Sequence, residues 1–162
     1  MQIGPNGRLG NQMFQYAALV GVSKIKKFKW ALHQNEKIEL RDVFKLPNAL
    51  ELKEEQKSML QYQYREKNFY FDTSIFTVED FTDLYGYFQS PLYFTHCLDL
   101  IKEEFQFLEN IENEASKQIS DYSNGMPTCS IHVRRTDYLN SPNYHPTCSV
   151  EYYEASKKIL LN

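Results

Sequence analysis

The densest polar chemistry in the chain is the stretch IHVRRTDY, Ile131 to Tyr138, where two adjacent arginines and an acid follow a short apolar run with a histidine inside it. An arginine presents a planar fork of donors that matches phosphate or carboxylate, and each hydrogen bond to such a charged group is worth about 1.5–3 kcal/mol. Two guanidinium groups side by side can therefore offset a diphosphate without a metal ion. If the run is a strand, alternation sends Ile131 and Val133 to one face and His132 and Arg134 to the other. His132 and Arg134 then approach one ligand, while Arg135 points elsewhere or turns with the loop. A pairing of Arg134 or Arg135 with Asp137 is the plain alternative, and these residues alone leave it open. A second cluster, GPNGRLGNQ from Gly4 to Gln12, spaces Gly4, Gly7 and Gly10 around Arg8. Such glycines let backbone amides approach a substrate at the start of a helix. The stretch is neither a Walker loop, since no lysine follows the last glycine, nor a dinucleotide fingerprint. By itself it reads as a turn.

Metal chemistry finds little support. His132, His145, Cys129 and Cys148 lie near one another in the sequence, yet no C-x-x-C or H-x-x-x-H spacing is present, and HPTC supplies only two ligands. No metal is expected. Cys97 sits among aromatic residues and reads as packing.

The elements that must hold these clusters read as follows. Met1 to Gly4 is a stub of strand before the glycine turn. From Asn11, as a cap, apolar residues at Met13, Phe14, Ala17, Ala18, Gly21, Val22 and Ile25 recur at helical spacing and predict an amphipathic helix. Lys24, Lys26, Lys27 and Lys29 at its end suit the negative pole of the helix dipole. KWAL (Lys29 to Leu32) is a second short strand, and residues 36–66 read as short helices and loops on the surface. NFYFD (Asn68 to Asp72) and LYGYFQS (Leu84 to Ser90) alternate aromatics and predict strands. Ser90 and Pro91 start a helix running to about Phe105, another covers about Asn110 to Ser120, and SNGMP breaks the chain. TCSIHVR is a further strand, and Ser149 caps a last helix, VEYYEASKKILL. Strands alternating with helices predict an α/β fold with a mainly parallel sheet, whose ligands bind at the carboxyl ends of the strands. There Arg134 and Arg135 fall. A lone strand–helix unit at the end of the chain either adds to the first sheet as an edge or begins a second domain.

Bulk properties narrow the partners. With 162 residues, 42% of them hydrophobic and 15% aromatic, the chain can bury a real core. A formal charge of −3 provides no general field for nucleic acid, so any bound anion must be held by a local site. No apolar run approaches the roughly 20 residues that span a bilayer. The start of the sequence lacks the pattern of a signal peptide, and three cysteines make no disulfide framework, so a cytoplasmic protein is expected, with peripheral membrane contact left open.

GRLGNQMFQYA (Gly7 to Ala17) and HVRRTDY (His132 to Tyr138), with GYFQS (Gly86 to Ser90) and HPTCSVEYY (His145 to Tyr153) in the same order, resemble the signatures of glycosyltransferase family 11, the α-1,2-fucosyltransferases. The resemblance runs from Gly7 to about Leu161. It implies transfer of L-fucose from GDP-fucose to the 2-hydroxyl of a galactose-containing glycan, with inversion and without a metal cofactor. It also implies a GT-B architecture, two Rossmann-like lobes with open parallel sheets facing a cleft. On that likeness residues 1–125 form the acceptor-side lobe, and 126–162 form the first strand–helix unit of a donor lobe that is otherwise largely missing. The H-x-R-R-x-D signature falls on His132, Arg134, Arg135 and Asp137. Arg134 is then the pyrophosphate contact, Arg135 and His132 further donor contacts, and Asp137 and His132 candidates for the acceptor proton. Gly7, Arg8, Gly10, Asn11, Gln12, Gln15 and Gln89 fall on the acceptor side. Thr136 stands where the family usually has glycine. The expectation from a different class is a carbohydrate- or nucleotide-binding module derived from such an enzyme, without chemistry of its own.

Overall fold

The computed structural model describes residues 2–3, 7–34, 37–140, 143 and 146–160; Gly4 and His145, named above, lie outside these. The chain forms two compact units, Met1–Ala115 and Ser116–Asn162. The first is built on short parallel strands, as alternating strands and helices require. β1 (Gln2–Ile3), β5 (Thr82–Tyr85) and β4 (Tyr62–Arg65) form one sheet in the order β1-β5-β4, and β2 (Ala31–His33) pairs with β3 (Leu50–Leu52) in another. Every pairing between these strands is parallel, with Ile3 opposite Leu84 and Leu32 opposite Glu51. β1 also packs beside β2. The α/β class read from the sequence is therefore what the unit has.

Helix α1 (Leu9–Lys26) lies at the centre of this unit. Arg8, with extended backbone, precedes its first turn, and Asn11 sits inside the helix instead of capping it. The helix is not an amphipathic one with a single buried face: Gln12 and Gln15 to Ser23 are all buried, whereas Phe14 and Ile25 are partly exposed. A helix that is apolar nearly all round belongs inside a core. Gly21 permits this, because a Cβ there would fall on the Tyr93 carbonyl oxygen. The helix ends where Lys27 turns left-handed at φ 59°, with Lys24 and Lys26 in the last turn.

Residues 37–66 hold short 3-10 helices at Glu39–Asp42 and Glu54–Met59 and are largely exposed, as read, but they are not surface alone. They hold β3 and β4 and send Leu40, Phe44 and Leu46 into the core. Charged residues spaced between the apolar ones hid that burial. NFYFD is not a strand, because side chains bond backbone groups that a ladder would use. The Asp72 N–H donates to the Tyr93 hydroxyl at 3.0 Å, that hydroxyl donates to the Tyr70 carbonyl at 3.3 Å, and the Asp72 carboxylate accepts from the Ser74 N–H at 2.8 Å. The Ser90–Phe105 helix is broken into 3-10 turns at Pro91–Tyr93 and Thr95–Cys97, followed by α2 (Leu98–Glu104). Ser90 makes no side-chain cap. Close approach to Gly21 displaces this segment from a straight helix: the His96 ring Nε2 lies 3.0 Å from the Gly21 carbonyl oxygen.

α3 (Glu109–Ser123) has no buried residue and ends before Gly125, whose φ of 79° makes the expected break. TCSIHVR is not a strand and has no regular secondary structure. A strand needs a ladder partner, and none of the five described strands pairs with it. A 3-10 turn follows at Asp137–Asn140, and α4 (Val150–Leu160) starts as read, with the Ser149 hydroxyl accepting from the Tyr152 N–H at 3.4 Å.

Candidate functional site

In open parallel sheets ligands bind beyond the carboxyl ends of the strands, where neighbouring strands send the chain to opposite sides. β1 and β5 are such a pair: β1 leads through α1 to β2, on its other side, while β5 follows β4. Beyond their ends lie Gly7–Arg8 and Gly86–Ser90. These loops meet where Gln89 Nε2 donates to Asn11 Oδ1 at 2.8 Å, in the first turn of α1. Gln12, 2% exposed, donates from Nε2 to the Gly7 carbonyl at 3.4 Å, and its Oε1 has no hydrogen-bond partner among the described residues. Gln15 is buried one turn further along. Gly7 is needed for geometry: its φ is 77°, and a Cβ would run into the Asn11 side chain. At Gly10 a Cβ would meet nothing, so open space adjoins the helix there. Arg8 is exposed, and its carbonyl accepts from the Gln12 N–H. Gly7 is thus bonded to Gln12 and Asn11 to Gln89, two pairs at the start of α1.

Two acids that the sequence reading passed over position these loops. Glu66, just past β4, accepts from the N–H groups of Tyr87 at 2.7 Å and Phe88 at 3.1 Å, and so fixes the loop that carries Gln89. Glu39 accepts from the Leu9 N–H at 2.8 Å, placing a carboxylate at the amino end of α1. Arg41, in the same 3-10 turn, donates to the carbonyls of His33 and Leu32 at 2.9 and 3.0 Å. One turn therefore joins the carboxyl end of β2 to the start of α1, and the strand ends share an edge. Both acids lie in the charged middle of the sequence, where no motif marks them; the signal was tertiary. The consequence for the glycine cluster is a correction, since the first amide of the helix is already taken by a carboxylate.

In the second unit His132 and Arg134 line one pocket of about 210 Å³ with Tyr138, Cys148, Tyr152 and Tyr153 among its walls. The Arg134 guanidinium carbon lies 4.7 Å from the centre of the Tyr138 ring, a stacking contact worth about 0.5–1 kcal/mol at an exposed site. Arg135 is not among the pocket's lining residues; its carbonyl accepts from the Leu139 N–H at 2.9 Å. Burial and then Cys148 push the Tyr153 hydroxyl above its ordinary pKa, and the charge of Arg135 opposes them. Asp137 opens the 3-10 turn, and its side chain lies outside what is described. Among the described residues no three His, Cys, Asp or Glu side chains gather as metal ligands. No helix among them is long and apolar enough to cross a membrane.

Among known proteins, galactoside alpha-(1,2)-fucosyltransferase 1 of Bos taurus is 27% identical over 149 residues, covering 88% of this chain and 41% of its own length. The Rattus norvegicus protein of that name is 28% identical over 144 residues, covering 85% and 38%, and that of Homo sapiens 27% over 142 residues, covering 83% and 39%. The chain thus spans about two fifths of the length of these relatives. No solved structure matches. The family model for glycosyl transferase family 11 matches residues 1–159, taking in the amide cluster at the sheet edge and the paired arginines together, and on that match the chain belongs to glycosyl transferase family 11.

Proposed function

We propose that the chain carries the acceptor-side unit and the first donor-binding segment of a galactoside 2-α-L-fucosyltransferase, which moves L-fucose from GDP-fucose to the 2-hydroxyl of a galactoside with inversion. The observation that carries this reading is the family match through both clusters, joined to a pocket lined by His132 and Arg134 together. In the reaction, negative charge builds on the departing diphosphate while the fucose ring gains oxocarbenium character. Arg134 neutralises that charge. A preorganised donor of this kind is worth about 2.7–4 kcal/mol, a hundredfold to a thousandfold in rate. The ring of Tyr138 holds the guanidinium for the task. Arg135 is the second donor contact, and His132 and Asp137 are the groups within the motif able to take the acceptor proton.

The acceptor falls to Asn11, Gln12, Gln15 and Gln89. Side-chain amides both donate and accept, as sugar hydroxyls do. In this reading residues 1–125 are the acceptor lobe and 126–162 the start of the donor lobe of a GT-B enzyme working in the cytoplasm. Calorimetric titration of GDP into the chain and into Arg134→Ala tests it. Loss of charged hydrogen bonds worth about 1.5–3 kcal/mol predicts a Kd about 10- to 100-fold higher in the variant. Equal GDP affinity in both proteins would refute the role of Arg134. Response to a galactoside but never to GDP would favour a carbohydrate-binding module.

A further inference from the structure

An apolar recess of the first unit lies away from the amide cluster, toward the amino ends of the strands. It encloses about 430 Å³, within the ~300–1,000 Å³ usual for small-molecule sites. Lys29 and Trp30, just before β2, Leu50 at the start of β3, Leu60 just before β4, and Asp80 and Phe81 just before β5 all line it. Three aromatic residues, Phe28, Trp30 and Phe81, line it beside aliphatic Leu52, Met59 and Leu60. Trp30 is held in place from behind, because its Nε1 donates to the buried Tyr16 hydroxyl at 3.0 Å. Phe81 keeps its ring 42% exposed at the mouth, on a backbone with φ of 58°. That conformation is rare for a bulky residue, and glycine would adopt it without strain.

The polar rim consists of Lys27, Lys29, Glu51, Asp80 and Gln56. These lining residues include two cationic and two anionic side chains, a formal balance that offers both donors and acceptors. An anion or a cation of the size the recess holds would meet as much repulsion as attraction. A neutral polyol meets neither penalty. Its hydroxyls pair with both kinds of rim group, and its C–H faces lie on rings. We propose that this recess is a second carbohydrate site, which takes a neutral saccharide of about two residues and is separate from the amide cluster at the opposite ends of the strands.

Trp30 is the only tryptophan in the chain, so tryptophan emission comes from a wall of this recess. Titration of the whole chain with lactose, maltose and cellobiose is expected to give a saturable change in Trp30 emission with at least one of them. Inorganic phosphate and GDP at the same concentrations should give none. Phe81→Gly removes one wall while relieving the left-handed backbone, so the protein stays folded; its half-saturation should rise about tenfold. Asn11→Ala, at the other cluster, should leave the Trp30 response intact. The site is therefore separable from the transferase reading, which can fail on GDP without touching it. No response to any neutral disaccharide, a response that survives in Phe81→Gly, or a larger response to phosphate would overturn the proposal. So would an emission change that follows protein concentration without sugar, which would make the recess a face between copies.

Discussion

Glu104 gives the sharpest test of how the core holds α1, and its effect can be worked from geometry. Its carboxylate is fully buried. Oε2 accepts from the Tyr16 hydroxyl at 2.6 Å, and Oε1 from Asn48 Nδ2 at 2.6 Å and the Asn48 N–H at 3.3 Å. Hydrogen bonds to a charged acceptor contribute about 1.5–3 kcal/mol each, burying the carboxylate opposes them, and deleting the side chain leaves the buried Tyr16 hydroxyl without its acceptor, at about 1–3 kcal/mol, with a cavity besides. Glu104→Ala should therefore lose about 3–5 kcal/mol, a large part of the ~5–15 kcal/mol that holds a domain. Tyr16→Phe should lose about 1.5–3 kcal/mol, since it strips a donor from Glu104 and an acceptor from Trp30 Nε1. Urea unfolding followed by Trp30 fluorescence measures both. Because the two side chains touch, the double variant should lose less than the sum of the singles, by more than about 0.5 kcal/mol. Burial first, and then the bond to Glu104, raise the Tyr16 pKa. The folded state thus keeps this proton where an unfolded tyrosine gives it up. The sign follows: the contribution is fully present below about pH 10 and declines as pH rises beyond it. Tyr16→Phe should flatten that alkaline decline. Additive losses, or an unchanged alkaline slope, would refute the network.

Gly21→Ala should destabilise by about 1–3 kcal/mol or more, since the new methyl group meets the Tyr93 carbonyl and the Phe94 Cα; an unchanged melting temperature would contradict the packing of α1 on this turn. At Asp72 the Ser74 amide and hydroxyl hold the carboxyl pKa below its ordinary value. Its contribution is present above about pH 4 and lost as pH falls through the lowered pKa, so Asp72→Asn should show a shallower acid decline in chemical unfolding. Glu39→Gln should cost about 0.5–2 kcal/mol by weakening the carboxylate bond at the start of α1, read in urea. No loss there would remove the capping role.

How much of this was legible in the sequence depended on where the information sat. α1, α4 with its Ser149 cap, and the Gly125 break carry local signals, and they stand within a few residues of their predicted places. β3 and β4 have three and four residues, and each exists only because a parallel neighbour satisfies its backbone. Nothing in LEL or YQYR announces that neighbour. NFYFD has the right alternation, but Asp72 and Tyr93 satisfy the same backbone groups that a ladder would use. TCSIHVR has strand composition and no partner among the described strands. Of the site, glycine spacing marked Gly7 and Asn11. The roles of Glu39 and Glu66 came from contacts thirty and about twenty residues away in sequence.

Electrostatics also bears on which cluster receives which substrate. The amino end of a helix ordinarily attracts a phosphate, and a glycine turn before α1 suggests such a site. Here Glu39 already occupies the Leu9 amide. A diphosphate charge brought within ~4 Å of that carboxylate would meet a repulsion of about 4 kcal/mol at an effective dielectric of 20, more than the helix dipole returns. Neutral hydroxyls meet no such barrier beside Asn11, Gln12 and Gln89. At residues 131–138 the balance reverses, with Arg134 and Arg135 adjacent and Arg134 facing a pocket that His132 shares. On the proposed reading, a nucleotide donor is therefore assigned to the arginines and a neutral sugar acceptor to the amides. If Glu39→Ala bound GDP through the α1 end while Arg134→Ala left GDP affinity unchanged, this division would be wrong.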